Sequence, residues 1–325
     1  MNLVKSQKYN FDIDVSSNTY VGELALPYVT AAVLGAETIN KNRVRLMEGI
    51  VGKAVINGLS FTDVIQAATC DGADGNDLTL TTQTLTLNDL MVKEVICRKT
   101  IFPTFVAAQG RMSRAGNIPP TFAEFLMSAL AAQTGTSLEN LLWQGATYFP
   151  LGFLSNDGTI DEAGIDASAC KDFAEAALDT STTAFSSSSI LGYMNDVFNA
   201  AQATPGILQK EGCGFYVSYE AYAFFLQAMA AQNTGPGYNQ AMEGATYLGY
   251  PVYPTPGIPN TVDVMVFTYP DNLVVGTNAY SGNEQASLIP VYQYDGSDNV
   301  KASLDFSVGV QVAVPTDGVV GFDFT

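Results

Sequence analysis

Side chains able to do chemistry are few in this sequence, and they are poorly grouped. Two acid-rich stretches stand out, Asp71-Gly-Ala-Asp-Gly-Asn-Asp77 and Asp157-Gly-Thr-Ile-Asp-Glu162. Clustered carboxylate and amide oxygens are what Ca²⁺ binds, but neither stretch has the ligand spacing of an EF-hand. Asp, Asn and Gly are also what tight turns require, so both stretches read as loop tips. The adjacent carboxylates Asp161 and Glu162 fall in one of them, where solvated charge is expected rather than acid–base work. Histidine is absent, which removes the commonest general base and the commonest transition-metal ligand. Cys70, Cys97, Cys170 and Cys213 are far apart and include no Cys-x-x-Cys. A zinc site is therefore not expected, and buried free thiols are expected over disulfides. Gly-x-Ser-x-Gly, Gly-x-Gly-x-x-Gly and a phosphate-cradling glycine loop are all missing. Gly235-Pro-Gly237 reads as a turn. Tyr216, Tyr219, Tyr222, Tyr238, Tyr247, Tyr250 and Tyr253 are of a type that stacks on sugar rings. Sheet and interface packing explains them more simply. Trp143, the only tryptophan, is expected in a core or an interface. No catalytic, cofactor-binding or metal-ligating residue is assigned, no cofactor is implied, and the chain is expected not to be an enzyme.

With chemistry set aside, the balance of residue types becomes the main signal. Apolar residues make up 47% of the 325, ample for a core, while charged residues make up only 14%. A surface so poor in charge fits a large area buried against other subunits. Eleven of the 14 basic residues lie in residues 1–114, which also hold 11 acidic residues and so are neutral. The rest of the chain carries the whole net charge of −18. Such asymmetry can steer a neutral, basic-containing half onto the acidic body of a neighbour, or serve only solubility. Either way the chain lacks the phosphate-neutralising charge of a nucleic-acid reader. The N-terminus is polar, with no secretory apolar region. No apolar run approaches the ~18 residues of a membrane span. The chain is expected to be cytoplasmic at synthesis and not to bind membrane.

The longest helical pattern covers residues 121–144. Pro119 and Pro120 precede it, Thr121 and Glu124 match a capping box, and Gly145 suits the C-cap. Phe122, Phe125, Leu126, Ala129 and Leu130 recur at helical spacing. Thr134-Gly135-Thr136 interrupts it at a cost of about 1 kcal/mol, and Thr136 with Glu139 matches a second cap. The spacing therefore predicts a bend or break between Gln133 and Ser137. Upstream, residues 1–45 show little periodicity and read as an arm lying on something else. Residues 46–60 read as strands separated by Gly49, Gly52 and Asn57-Gly58, the last a hairpin signal. Leu78–Leu87 alternates, but Leu80 and Leu85 differ in parity, which predicts a bulge. Residues 46–90 are too polar for a core of their own. Val92–Ile101 reads as a better-buried strand. Downstream, Ala167–Leu178 reads as a short helix and Ser181–Ser189 as a linker. Ser188 or Ser189 is placed to cap a helix over Ile190–Ala203, with Leu191, Met194, Val197, Phe198 and Ala201 on one face. Phe215–Ser218 reads as a buried strand and Tyr219–Gln232 as a helix. From Gly244 the chain turns to β, in Thr246–Tyr253, Val262–Thr268, Asn272–Thr277, Ala286–Tyr294 and Val300–Val314. No internal repeat is present.

Several stretches, in this order, are similar to one known family. Phe122–Gly145, ending Leu-Glu-Asn-Leu-Leu-Trp-Gln-Gly, resembles its long spine helix. Ile190–Ala203 followed by Gly214-Phe-Tyr-Val-Ser-Tyr-Glu-Ala-Tyr222 resembles a helix, strand and second helix of its axial domain. Tyr247-Leu-Gly-Tyr-Pro-Val-Tyr-Pro254 resembles its Leu-x-Gly-x-Pro-Val segment, the most specific of these. Val300–Phe322 resembles its returning peripheral strand. The family is the major capsid proteins of tailed bacteriophages, with the Hong Kong ninety-seven type capsid fold, and the resemblance covers most of residues 40–325.

The resemblance implies an α+β fold with an N-terminal arm at 1–45 and an extended β-hairpin loop at 46–91. A peripheral domain at 92–180 and 296–325 would carry the spine helix, and an axial domain would span 181–295. It also implies a virion protein, assembled in the host bacterial cytoplasm, whose partner is itself in hexamers and pentamers. Scaffolding, portal and decoration proteins are candidate partners, and packaged DNA would be enclosed without sequence-specific binding. The arm is short, with no long scaffolding segment ahead of it. The crosslinking lysine and asparagine of one family member have no assignable counterparts, so no covalent chemistry is carried over. An encapsulin compartment shell shares the fold, and an extracellular binding module is the remaining alternative.

Overall fold

A computed structural model describes residues 18–21, 26–61, 78–97, 100, 122–154, 174–176, 184–203, 206–232, 245–261, 263–278, 285–291, 297 and 299–323. Among these residues the strands form two six-stranded sheets and a two-stranded ribbon. The first sheet holds β1 (Asn18–Val21), β2 (Arg45–Met47), β5 (Asn88–Cys97), β11 (Leu273–Thr277), β12 (Gln285–Pro290) and β13 (Asn299–Val312). Its order is β1-β12-β13-β11-β2, and β5 also pairs with β13. The ribbon is β3 (Lys53–Phe61) against β4 (Leu78–Thr86). The second sheet runs β6 (Ala174–Ala176), β14 (Val319–Asp323), β10 (Asp263–Thr268), β7 (Gly214–Val217), β9 (Tyr250–Pro254) and β8 (Thr246–Tyr247). The helices are α1 (Leu26–Leu34), α2 (Glu37–Asn40), α3 (Phe122–Gln144), α4 (Ile190–Ala203) and α5 (Tyr219–Gln232).

Alternation along the strands decides where the cores lie. In β13 Val300, Ala302, Leu304, Phe306, Val308, Val310 and Val312 are all buried, each two residues from the next. They face one side of the first sheet, as a period of two requires, and pack with α1 and α3. The second sheet is buried on both faces. Tyr216, Val264, Val266 and Val320 join the α3 core, whereas Phe215, Val217, Met265, Phe267 and Val319 join a separate core under α4 and α5. That is why Phe215–Val217 reads as an unbroken apolar run rather than an alternating one.

Helix α3 is continuous, and the expected break between Gln133 and Ser137 does not occur. Two physical facts override the cost of glycine. The hydroxyls of Thr134, Thr136 and Ser137 donate back to the carbonyls of Leu130, Ala132 and Gln133, at 2.8, 3.4 and 3.3 Å, so they stay within the helix. Gly135 is where α3 meets the end of α1. A Cβ there would lie 2.5 Å from the Gly35 Cα, so only glycine lets the backbones approach. The buried stripe runs Leu126/Met127, Leu130/Ala131, Thr134, Leu138/Glu139 and Leu142/Trp143. Ala129, expected on that stripe, is exposed. Glu139 does not pair with Thr136 to start a second helix; it bonds Thr38 instead. Thr121 lies outside the described residues. Gly145 ends α3 in the left-handed region, φ 67°, with its N–H bonded to the Leu141 carbonyl.

Other expectations also change. Residues 26–40 are not a loose arm, since Val29, Ala32, Val33, Ala36 and Ile39 are buried in the α3 core. Strand β3 passes straight through Asn57-Gly58, which pair with Thr82 and Thr81. The turn signal fails because both residues sit in a continuous antiparallel ladder. That same ladder has no bulge. Leu85 is fully buried at the ribbon's base while Leu80 is 57% exposed, so the change of parity puts two leucines on opposite faces. Strand β5 is not well buried; Met91 is 57% and Val95 61% exposed. Ala174–Ala176 is a strand parallel to β14 rather than part of a helix. Ser186, not Ser188 or Ser189, leads into α4: its Oγ accepts the Ser189 N–H while the Ser189 Oγ accepts the Ser186 N–H. A boundary at 295/296 does not follow the sheets. β11 and β12 pair with β13 in the first, and β14 belongs to the second.

The helices over Ile190–Ala203 and Tyr219–Gln232 occur as expected. Tyr247-Leu-Gly-Tyr-Pro-Val forms a hairpin whose turn residues Leu248 and Gly249 have φ of 49° and 91°. Cys213 is buried, and burial pushes its thiol up to about 12. Cys97 is exposed. Cys70 and Cys170 lie outside the described residues, as do both acid-rich stretches and Tyr238.

Candidate functional site

The most specific polar construction is a buried joint on α3. Glu139 is almost fully buried. One of its oxygens accepts the Thr38 N–H at 3.0 Å, and the other accepts the Thr38 hydroxyl. That hydroxyl accepts the Trp143 indole N–H at 3.1 Å. Gln144 donates to the Gly257 carbonyl at 2.8 Å. The Trp143 ring packs 5.3 Å from Phe153 and 5.7 Å from Tyr216. Tyr216 donates to the Arg43 carbonyl at 2.7 Å, and the Arg43 guanidinium donates to the Pro254 carbonyl at 2.5 Å while lying over the Tyr253 ring. At the surface the Tyr219 hydroxyl donates to Glu37, which also pairs with Lys41. The network ties α2, α3 and the second sheet together. Its bonds fix how these elements sit against one another.

Burial raises the Glu139 carboxyl above the ordinary carboxylate value. The bonds from Thr38 oppose that rise, and the nearby Glu37 charge adds to it. A raised carboxylate holds its proton more tightly folded than unfolded. Its contribution to stability is therefore full below the ordinary carboxylate range and falls as pH rises through the raised value. Glu139→Gln mimics the protonated form at every pH. Chemical unfolding of both proteins between about pH 4 and pH 8 should show wild type losing ground to the Gln variant as pH rises. A difference that stays constant with pH would refute the burial argument.

Tyr247, Tyr250 and Tyr253 are engaged within the fold. The hydroxyls of Tyr247, Tyr250 and Tyr253 donate to the carbonyls of Leu191, Leu208 and Gly212. Their rings pack on Phe215, Phe267 and Tyr216. They hold the second sheet to its surroundings. Among the described residues no group of three or more His, Cys, Asp or Glu is placed to hold a metal ion.

What the structure does offer outward is β surface. At the base of the β3–β4 ribbon Ile50, Ile56 and Leu85 meet Val274 and Ala313 in a small core. Val55, on the opposite face from Ile56, and Leu80 farther along the ribbon are 58% and 57% exposed. The outer face of β5 adds Met91 and Val95. Large apolar side chains left on a ribbon and an edge strand mark a surface made for partners.

No protein-family profile matches the sequence, and no curated protein matches it. Solved structures match over most of the chain. The capsid of a native GTA particle, computed with C5 symmetry, is 12% identical, with 91% of each chain covered and a TM-score of 0.54. A chain of the satellite phage P4 procapsid is 11% identical, covers 92% of this chain and 90% of its own, and has a TM-score of 0.54. The capsid of Myoviridae phage XM1 is 10% identical over 88% of this chain and 92% of its own, with a TM-score of 0.53. The chain has the phage capsid fold. In the capsid fold of this chain, the joint at Glu139 locks the long helix and the exposed ribbon and β5 are the candidate contact surfaces. Sequence reasoning did not find the joint. Its one legible signal was a lone acidic residue, Glu139, inside an otherwise apolar helical stripe.

Proposed function

We propose that this chain is a major capsid protein, a structural rather than catalytic protein, that self-assembles into the hexamers and pentamers of an icosahedral phage head enclosing double-stranded DNA. One observation carries the reading: about nine-tenths of the chain superposes on about nine-tenths of capsid chains that share almost no sequence with it. The low charge content and the exposed Val55 and Leu80 of the ribbon agree with a surface completed by neighbours. In this reading the first sheet with α1 and α3 is the peripheral domain and α3 its spine. The second sheet with α4 and α5 is the axial domain, β3–β4 the extended loop, and the residues before α1 the arm. The subunit would assemble in the host cytoplasm and reside in the virion, with scaffolding, portal and decoration proteins as further partners. A net charge of −18 suits a wall that encloses DNA without reading it.

Expression of the full chain, followed by sedimentation velocity and negative-stain microscopy, tests this. Shells, hexamers or pentamers are the expected result. A stable 34.5 kDa monomer that never assembles would overturn it.

A further inference from the structure

The root of the β3–β4 ribbon crosses the first sheet over two glycines. Val308, Val310 and Val312 of β13 and Val275 of β11 face the α3 core, so the residues between them face the other way. On that outer face Gly276 stands directly opposite Gly309 in the β11–β13 ladder. Cross-strand partners share a face, so the two missing side chains leave a single gap. The ribbon root fills it. A Cβ on Gly276 would overlap the Leu85 Cδ2 and lie 2.8 Å from the Ile50 Cδ1. A Cβ on Gly309 would overlap the Thr86 carbonyl oxygen and lie 3.3 Å from the Leu87 Cα. Both glycines lie inside strands, and neither has a positive φ. What they supply is space, not an unusual backbone.

Polar bonds close around the same point. The Leu87 N–H donates to the Gly52 carbonyl at 2.9 Å, and the Ile50 N–H donates to the Thr277 carbonyl at 3.1 Å. The Gln311 amide donates to the Gln83 side-chain oxygen at 3.4 Å. Farther out, β3 and β4 pair with each other over Lys53–Phe61 and Leu78–Thr86. A two-stranded ribbon is marginally stable by itself, so its direction is set where Leu85 is buried at the root.

We infer that Gly276 and Gly309 form a seat that fixes the angle at which the ribbon leaves the sheet, and so the direction in which Val55 and Leu80 are presented to a neighbouring copy. The presentation to a neighbour rests on the self-assembly reading; the seat itself does not. Hydrogen exchange on the unassembled full-length chain reads the seat directly. In Gly309→Ala the Leu87 and Ile50 amides and the β3–β4 ladder should exchange about tenfold faster or more, while β7 and β10 of the second sheet keep their wild-type rates. Unchanged rates at the root would overturn the seat. Gly276→Ala should loosen the root in the same way, but its clash is with side chains. Leu85→Ala should therefore be sub-additive with Gly276→Ala and additive with Gly309→Ala, whose clash is with backbone. Equal behaviour of the two pairs would refute the assigned contacts. Should Gly309→Ala fail to fold, the Gly276→Ala and Leu85→Ala cycle supplies the measurement. Negative-stain microscopy under assembly conditions then reads the consequence: the loosened variants should lose closed shells. Loosened variants that still close normal shells defeat the link to assembly and leave the seat. A wild-type chain that never assembles defeats the capsid reading, and the exchange result still decides the seat.

Discussion

Trp143→Ala should destabilise the chain by about 3–5 kcal/mol, the range for removing a large buried aromatic side chain. The ring is completely buried between Phe153 and Tyr216, so its removal leaves a void in the core. Its indole N–H also meets the Thr38 hydroxyl that bonds Glu139, so truncation disturbs a buried carboxylate as well as a core. Domains have about 5–15 kcal/mol in total, which makes this loss a large fraction. Denaturant unfolding monitored by circular dichroism gives the size. Trp143→Phe should fall between Ala and wild type, because it keeps most of the ring and loses the donor. An alanine variant within about 1 kcal/mol of wild type would mean that the joint does not hold the long helix.

Gly135→Ala has the second large expected effect, and its sign opposes helix propensity. In an isolated helix alanine is better than glycine by about 1 kcal/mol. Here the added Cβ would sit 2.5 Å from the Gly35 Cα and 2.7 Å from the Gly35 carbonyl carbon. Backbone atoms cannot rotate aside as a side chain does, so the end of α1 and α3 must separate. Overpacking of this kind costs about 1–3 kcal/mol. The check is the unfolding midpoint of the variant, with Gly35→Ala as its partner, since a Cβ there meets the Gly135 Cα at 3.0 Å. The double variant should cost less than the sum of the two, because one separation relieves both clashes. A Gly135→Ala protein more stable than wild type would show that the helices do not need this approach.

These positions also show how far a sequence can be read. The helices over Ile190–Ala203 and Tyr219–Gln232 were legible because their apolar spacing and flanking residues agree with the structure they adopt. Strand β13 was legible because its apolar side chains fall at every second position from Val300 to Val312. The order of elements was enough to suggest the capsid fold, since it depends on the succession of such segments and not on identity. Where local signals failed, a distant contact had reversed their meaning. Asn57-Gly58 is a turn signal, but pairing with Thr82 and Thr81 makes it strand. Leu80 and Leu85 suggested a bulge, but only the ribbon's docking at its base shows that one leucine is meant to be outside.

Periodicity thus determined, from the sequence alone, a long helix and a closing β region, while the α+β capsid fold was legible only through the family resemblance. The helix and the β region follow from neighbours a few residues apart. The tertiary structure decided the rest: that Gly135 marks a contact rather than a break, and that Glu139 is bonded by Thr38, 101 residues away. It also decided that Asp305 has a buried oxygen with no partner among the described residues. Each is set by groups distant in sequence, and no local pattern encodes which distant backbone will arrive.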